Sequence, residues 1–125
     1  MMATFGLGQI GQIAVTVTDI DRAVAFYRDV LGMRFLFQFP NLAFFDCGGV
    51  RLMLSIPEGA APAGNSVIYY KVDEIQQVAD TLTSRGVAFE AKPHLIAKMP
   101  DHDLWMAFFR DPDRNLLALM CEVRR

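Results

Sequence analysis

The chain has 125 residues, of which 53% are hydrophobic and 21% are charged, and its formal net charge is −2. That length suits one domain with a hydrophobic core and is short for two independent domains. The small negative charge argues against a nucleic-acid partner, and no apolar run approaches the roughly 18 residues that a membrane helix needs. We therefore expect a single domain over residues 1–125 that contacts neither nucleic acid nor membrane.

The first half of the chain predicts one strand, one helix and three further strands. Residues 10–17 alternate apolar and polar side chains, as a half-buried strand does. Asp19 can cap a helix whose apolar residues recur at helical spacing over 20–31, and Gly32 can end it in the left-handed conformation. Further strands are predicted over 35–39, 41–47 and 50–56. Together these elements form a β-α-β-β-β (βαβββ) unit, which we place at residues 9–57.

The second half repeats this order after a linker. Residues 57–65 are rich in Pro, Gly and Ala and show no periodicity. A strand over 66–72 leads to Asp73, which can cap a second helix, and Gly86 can end that helix. Further strands are predicted over 87–90, 94–99, 104–109 and 116–123. We expect a second βαβββ unit over residues 66–123.

The two halves match in spacing, which indicates an internal repeat. Gly32 follows Asp19 by thirteen positions, and Gly86 follows Asp73 by thirteen positions. Each unit should form a four-stranded sheet with a helix on one face and an open, concave opposite face. We expect the two units to form a curved, mixed eight-stranded sheet around a cleft, with the helices outside. Such a cleft is the usual place for a small organic ligand.

Two motifs carry a resemblance to a known family. Residues 15–33 read VTVTDIDRAVAFYRDVLGM, and residues 108–120 read FFRDPDRNLLALM. They resemble the opening strand and helix, and the closing hairpin, of the vicinal-oxygen-chelate superfamily of glyoxalases, bleomycin-resistance proteins and ring-cleaving dioxygenases. The resemblance spans nearly the whole chain and implies an α+β fold of two tandem βαβββ units. It leaves the reaction open, because one fold hosts many functions.

The same resemblance bears on metal binding. The superfamily's metal enzymes hold a divalent ion in the cleft with His, Gln or Glu from the first and last strands of each unit. Carried over to this chain, the four ligand positions fall on Gln12, Met53, Val67 and Ala118. Only Gln12 can bind a hard metal ion, and a lone amide does not hold such an ion against water. We therefore expect no metal site and no cofactor, and we disfavour a divalent ion.

One further departure from the superfamily concerns the last turn. Arg114 stands where the superfamily commonly has Gly. If the turn places this residue at positive φ, Arg costs on the order of 1 kcal/mol relative to Gly.

The aromatic residues, ten Phe, three Tyr and one Trp, predict a cleft that suits a planar or apolar ligand. Alternation along each strand should direct about half of them into the cleft. Core packing is the competing interpretation for each aromatic residue. A hydrogen bond to the backbone at a strand end is the competing interpretation for Gln12. The candidate ligand contacts are Gln12, Met53, Tyr70, His94, Trp105 and Ala118.

The two histidines differ in context. His94 lies on a predicted strand that can face the cleft, and imidazole exchanges protons near neutral pH, so His94 is the candidate general base. His102 lies between Asp101 and Asp103 at the tip of a predicted hairpin, and we interpret it as a solvated loop residue.

We expect a small-molecule-binding protein of the glyoxalase and bleomycin-resistance type, with the ligand in an aromatic-lined cleft and no metal. One alternative is a metal-dependent enzyme of the superfamily, either a lyase or isomerase similar to lactoylglutathione lyase or a dioxygenase. Another is a structural or regulatory module whose own aromatics fill the cleft. The apolar composition favours a homodimer, in which the units pair within one chain or across two. Cys47 and Cys121 are interpreted as reduced thiols of a cytoplasmic protein.

Overall fold

The computed structural model describes residues 6–8, 10–57 and 66–125. The strands are β1 Gln12–Thr16, β2 Arg34–Phe39, β3 Leu42–Cys47, β4 Val50–Ser55, β5 Ile68–Lys71, β6 Phe89–Lys98, β7 His102–Arg110 and β8 Leu116–Arg124. The helices are α1 Ile20–Ala25, which a π-helical turn continues over Phe26–Val30, and α2 Ile75–Ser84. The predicted linker over 57–65 lies outside the described residues, apart from Pro57.

The strands form two four-stranded sheets, one in each half of the chain. Their orders are β1-β4-β3-β2 and β5-β8-β7-β6. In each sheet the first strand runs parallel to the last strand of its unit, and the other neighbours are antiparallel. The α+β fold of two βαβββ units is therefore confirmed. The eight strands are divided between two sheets, each built by one unit.

The two units differ by one residue in the length of the segment from the helix N-cap to the glycine that ends the helix. Asp19 caps α1 and accepts a hydrogen bond from the backbone N–H of Arg22 at 3.1 Å, as predicted. The predicted cap at Asp73 is wrong, because Glu74 is the N-cap of α2 and its side chain makes no capping bond. The segment from cap to glycine is thus one residue longer in the first unit. The π-helical turn that follows α1 accommodates this extra residue.

The glycines predicted to end the two helices have the expected conformation. Gly32 has φ of 73° and Gly86 has φ of 96°, so both lie in the left-handed region. Arg114 also has a positive φ, of 70°. The position thus requires the conformation that glycine adopts without strain, and the arginine side chain costs on the order of 1 kcal/mol there.

One strand boundary in the second unit differs from the prediction. The strands predicted over 87–90 and 94–99 are a single strand, β6, which lies at the edge of its sheet. Pro93 interrupts the sequence pattern because it has no backbone N–H to donate. An edge strand tolerates proline, and the pairing of β6 with β7 shows irregular register on both sides of this residue.

Both sheets share one hydrophobic core. Buried side chains of the two helical segments and of both sheets form one cluster, in which Tyr27, Phe45 and Phe109 are fully buried. The helix-covered faces of the two sheets therefore meet in this core, and the opposite faces stay open. We call these opposite faces the open faces. No helix in the described part of the chain has the length and apolar character needed to cross a membrane.

Candidate functional site

The first two positions implied for metal ligands lie side by side on the open face of the first sheet. Strands β1 and β4 are parallel neighbours, and their register places Gln12 opposite Arg51 and Ala14 opposite Met53. The Gln12 amide nitrogen lies 3.7 Å from the Met53 sulfur, which is a weak acceptor. The register carried over from the motif therefore brings these two side chains together, but only one of them offers an oxygen ligand.

The other two positions lie in the second sheet and offer no ligand. Val67 directly precedes β5, and Ala118 is fully buried between its strand neighbours Tyr69 and Phe108. The rings of Tyr69 and Phe108 meet edge to face at 6.3 Å between centroids. A methyl group and an isopropyl group cannot coordinate a divalent cation.

The donor set does not fit the divalent ion of the superfamily's metal enzymes. Across the four positions it consists of one amide, one thioether and two alkyl groups. Within residues 6–8, 10–57 and 66–125, no three His, Cys, Asp or Glu side chains are grouped as an ion would require. Divalent ions in proteins are held by several oxygen, nitrogen or thiolate ligands.

An aromatic surface covers the open face of the first sheet. The rings of Phe37 and Phe44 are 4.8 Å apart between centroids, and Phe37 and Phe39 meet edge to face at 5.7 Å. Phe37 is 44% exposed and Phe39 is 55% exposed. The guanidinium of Arg51 lies 5.8 Å from the centre of the Phe44 ring. This surface offers stacking area beside a cation.

The remaining candidate residues are distributed over both faces of the second sheet. His94 lies exposed on the edge strand β6 opposite Met106, and its Nδ1 is 2.7 Å from the backbone oxygen of Lys92. Tyr70 and Trp105 pack against the shared core instead of the open face. Within one chain the structure therefore brings Gln12 and Met53 together but separates them from Tyr70 and Trp105.

Tyr70 contributes to a small apolar cavity between the units. The cavity has a volume of about 120 Å³, and its Tyr70 hydroxyl is buried without a hydrogen-bond partner in the described structure. Its other walls come from the end of the first helix, from α2 and from the second sheet: Leu31, Met33, Val72, Val78, Leu82, Phe109 and Leu119.

A polar cluster that joins the units was missed by the sequence analysis. The buried Asp111 carboxylate accepts four hydrogen bonds, from the Tyr27 hydroxyl at 2.8 Å, from the Asn115 side chain, and from the backbone N–H groups of Asp113 and Asn115. Asp113 accepts from Thr18 and from Arg22 of the first unit. The pattern of residues 111–115 predicts only a turn. The acidic and amide side chains of this segment were the signal from which a polar cluster could have been predicted.

Burial gives two tyrosines of this region a measurable pH dependence. Burial, with a smaller contribution from Asp111, raises the pKa of Tyr27, and burial likewise raises the pKa of Tyr70. Tyrosine in an unfolded chain ionises near pH 10, so the unfolded state loses these protons first. The stabilisation is fully present below about pH 10. Above it, the free energy of unfolding should fall by up to about 1.4 kcal/mol per pH unit for each tyrosine.

Urea unfolding at a series of pH values from 9 upward measures this slope. Tyr27→Phe and Tyr70→Phe should each make the decline shallower than in the parent protein, since phenylalanine does not titrate. An identical alkaline slope in the parent and in both variants would contradict the assignment.

Comparisons with known proteins agree with the motifs and the fold. A model of the Glyoxalase/Bleomycin resistance protein/Dioxygenase superfamily matches residues 9–119. The uncharacterized protein YraH of Bacillus subtilis (strain 168) is 30% identical over 126 residues, covering 86% of this chain and 94% of that protein. Among solved structures, lactoylglutathione lyase from Agrobacterium tumefaciens has a TM-score of 0.76 at 22% identity, covering 92% of this chain and 94% of that chain.

A second solved structure, a member of the same superfamily from Sphaerobacter thermophilus, has a TM-score of 0.75 at 26% identity, covering 93% of this chain and 98% of that chain. The family model spans most of the sequence, and the alignments with both solved structures cover more than 90% of this chain. This chain belongs to the glyoxalase, bleomycin-resistance protein and dioxygenase superfamily, which is the vicinal-oxygen-chelate superfamily.

Proposed function

We propose that this protein binds a small, flat organic molecule on its aromatic open faces and does so without the divalent ion of its metal-dependent relatives. The observation that carries this proposal is the open face of the first sheet. There Phe37 and Phe44 offer stacking area, while the neighbouring ligand positions hold only Gln12 and Met53. A flat ligand gains apolar burial and ring stacking on such a surface.

We propose that two copies of the chain complete the cleft. Within one chain the helix-covered faces of both sheets meet in the shared core, so the open faces point away from that core. Pairing the first sheet of one copy with the second sheet of another covers the exposed apolar residues of both. Those residues include Phe37, Phe39 and Tyr69. This arrangement supports the homodimer with units paired across chains.

The free thiols of the two cysteines support a cytoplasmic location. Cys47 is partly buried, Cys121 is buried, and both are free thiols. Free thiols persist in a reducing compartment. The assignment of His94 as a general base stays a prediction, and the proposed binding requires no reaction.

Binding of 2-naphthamide, a flat and uncharged probe, tests the proposal. Calorimetric titration of chelator-treated protein should show saturable binding that does not change when the chelator is omitted. Phe44→Ala should weaken this binding by about tenfold or more, because a stacking surface and its apolar burial are lost. Leu7→Ala is the matched control, since Leu7 is exposed and lies outside the strands.

Two results would count against the proposal. Binding that appears only after a divalent ion is added would favour the alternative, a metal-dependent lyase, isomerase or dioxygenase. An absence of saturable binding to the parent protein would favour a module whose open faces serve only protein contacts.

A further inference from the structure

A hollow of about 600 Å³ lies at one end of the open face of the first sheet. Residues in or next to strands β1, β2, β3 and β4 line this hollow. The lining residues are Gly11, Gln12, Arg34, Leu36, Asp46, Gly49 and Arg51. Two arginines and one aspartate thus surround a single opening beside the aromatic surface, and their formal charges leave an excess of one positive charge.

Asp46 lies opposite both Arg34 and Arg51 in strand register, so one carboxylate faces two guanidinium groups and the hollow keeps an excess of one positive charge. The carboxylate of Asp46 lies 4.0 Å from the Arg34 guanidinium and also accepts the backbone N–H of Gly49. In the described part of the chain, Arg51 has neither an ion pair nor a side-chain hydrogen bond, and its guanidinium lies 5.8 Å from the Phe44 ring centre. A guanidinium over a ring keeps the N–H groups of its edge available for a planar anion.

Gln12 adds a second donor next to this guanidinium. Its strand register places it directly opposite Arg51. Among the described residues, the only hydrogen-bond acceptor that its amide nitrogen reaches is the Met53 sulfur, at 3.7 Å. Because a thioether is a weak acceptor, this N–H can turn to a carboxylate oxygen at little cost.

Continuous with the hollow is the aromatic surface. Phe44 lies under Arg51, and Phe37 follows at 4.8 Å between ring centroids. A ligand seated there can therefore pack a flat ring against the exposed Phe37 and the edge of Phe44 while a substituent reaches the guanidinium edge.

We propose that the ligand is an aromatic carboxylate, whose ring packs against Phe37 and the edge of Phe44 and whose single negative charge pairs with Arg51 beside Gln12. This inference rests on the proposed function, and it adds the chemical class of the ligand. A carboxylate matches the fork of the arginine N–H groups in shape, and a monoanion matches the excess of one charge.

Comparing 2-naphthoate with 2-naphthamide isolates the contribution of the charge, because the two molecules share one ring system. Calorimetric titration at low ionic strength should show that the parent protein binds the carboxylate about tenfold or more tightly than the amide. Arg51→Gln should remove this preference, so that the variant binds the two probes with equal affinity. Arg51→Lys should retain part of the preference, since lysine keeps the charge but not the planar fork.

Arg28 provides the matched control. Its guanidinium also lies 5.8 Å from a phenylalanine ring, that of Phe35, but Arg28 is not among the residues that line the hollow. Arg28→Gln should therefore leave both affinities unchanged.

Each outcome has a distinct meaning. Equal affinity of the parent for both probes, or a preference that survives Arg51→Gln, overturns the carboxylate site and leaves the proposed binding function intact. No binding of either probe overturns both.

Discussion

Replacing Asp111 by alanine is expected to lower the free energy of unfolding by about 4 kcal/mol. Asp111 is only 4% exposed and accepts four hydrogen bonds, so truncation leaves the Tyr27 hydroxyl and two backbone N–H groups without their acceptor. Each buried polar group without a partner costs about 1–3 kcal/mol. The loss is a large fraction of the 5–15 kcal/mol by which domains are typically stable.

Urea unfolding of a short variant series separates the contributions. Tyr27→Phe should cost about 1–2 kcal/mol in the parent protein but much less in the Asp111→Ala background, because the hydroxyl has already lost its acceptor there. Asp21→Ala is the control. Its exposed carboxylate accepts one bond from Gln38, and its loss should change stability by no more than about 0.5 kcal/mol. A cost below about 1 kcal/mol for Asp111→Ala would contradict the importance of this cluster.

Placing aspartates at Phe37 and Phe39 is expected to dissociate the proposed homodimer. These two side chains lie on the open face, and both are more than 40% exposed in the single chain. If a second copy covers them, the double variant loses two aromatic contacts and gains two charges at the interface. Aromatic residues central to interfaces contribute about 2 kcal/mol or more each, so the dissociation constant should rise on the order of 1000-fold.

Sedimentation equilibrium measures the dissociation constant directly. Gln77→Asp introduces the same charge on the exposed surface of α2 and should leave the dimer unchanged. A parent protein that stays monomeric, or a double variant that associates as tightly as the parent, would contradict pairing through the open faces.

Much of the fold followed from local signals. The alternation of residues 10–17, the cap at Asp19 and the glycine at position 32 are short-range features, and the structure bears each of them out within about two residues. The cap at Asp73 was predicted from its side chain, which is of a type favoured at N-caps, but the helix begins after Glu74. The extra residue in the π-helical turn shifts the caps by one, and a sequence pattern does not reveal where a helix widens.

The candidate site was harder to predict from the sequence. The proximity of Gln12 and Met53 followed from the motif, because the first and last strands of the unit are parallel neighbours. The adjacent aromatics Tyr69 and Tyr70 show the difficulty, since alternation directs them to opposite faces but does not say which one is open. The structure places Tyr69 beside Phe108 on the open face and Tyr70 against the core.

The contact of Tyr27 with Asp111 could not be predicted from the sequence either. The two residues are 84 positions apart. Tyr27 occupies an apolar position of the first helix, where an aromatic ring predicts core packing and gives no sign of a buried acceptor for its hydroxyl.

Metal retention is the most direct test of the central claim, that this member of the superfamily binds its ligand without a divalent ion. Untagged protein is incubated with nickel, zinc, iron(II) or manganese, dialysed and analysed for each element. Gln12, Met53, Val67 and Ala118 provide only one oxygen ligand among them, so we expect less than about 0.1 ion per chain. Retention of about one ion per chain, released by a chelator, would contradict the account and identify a metal site built from other residues.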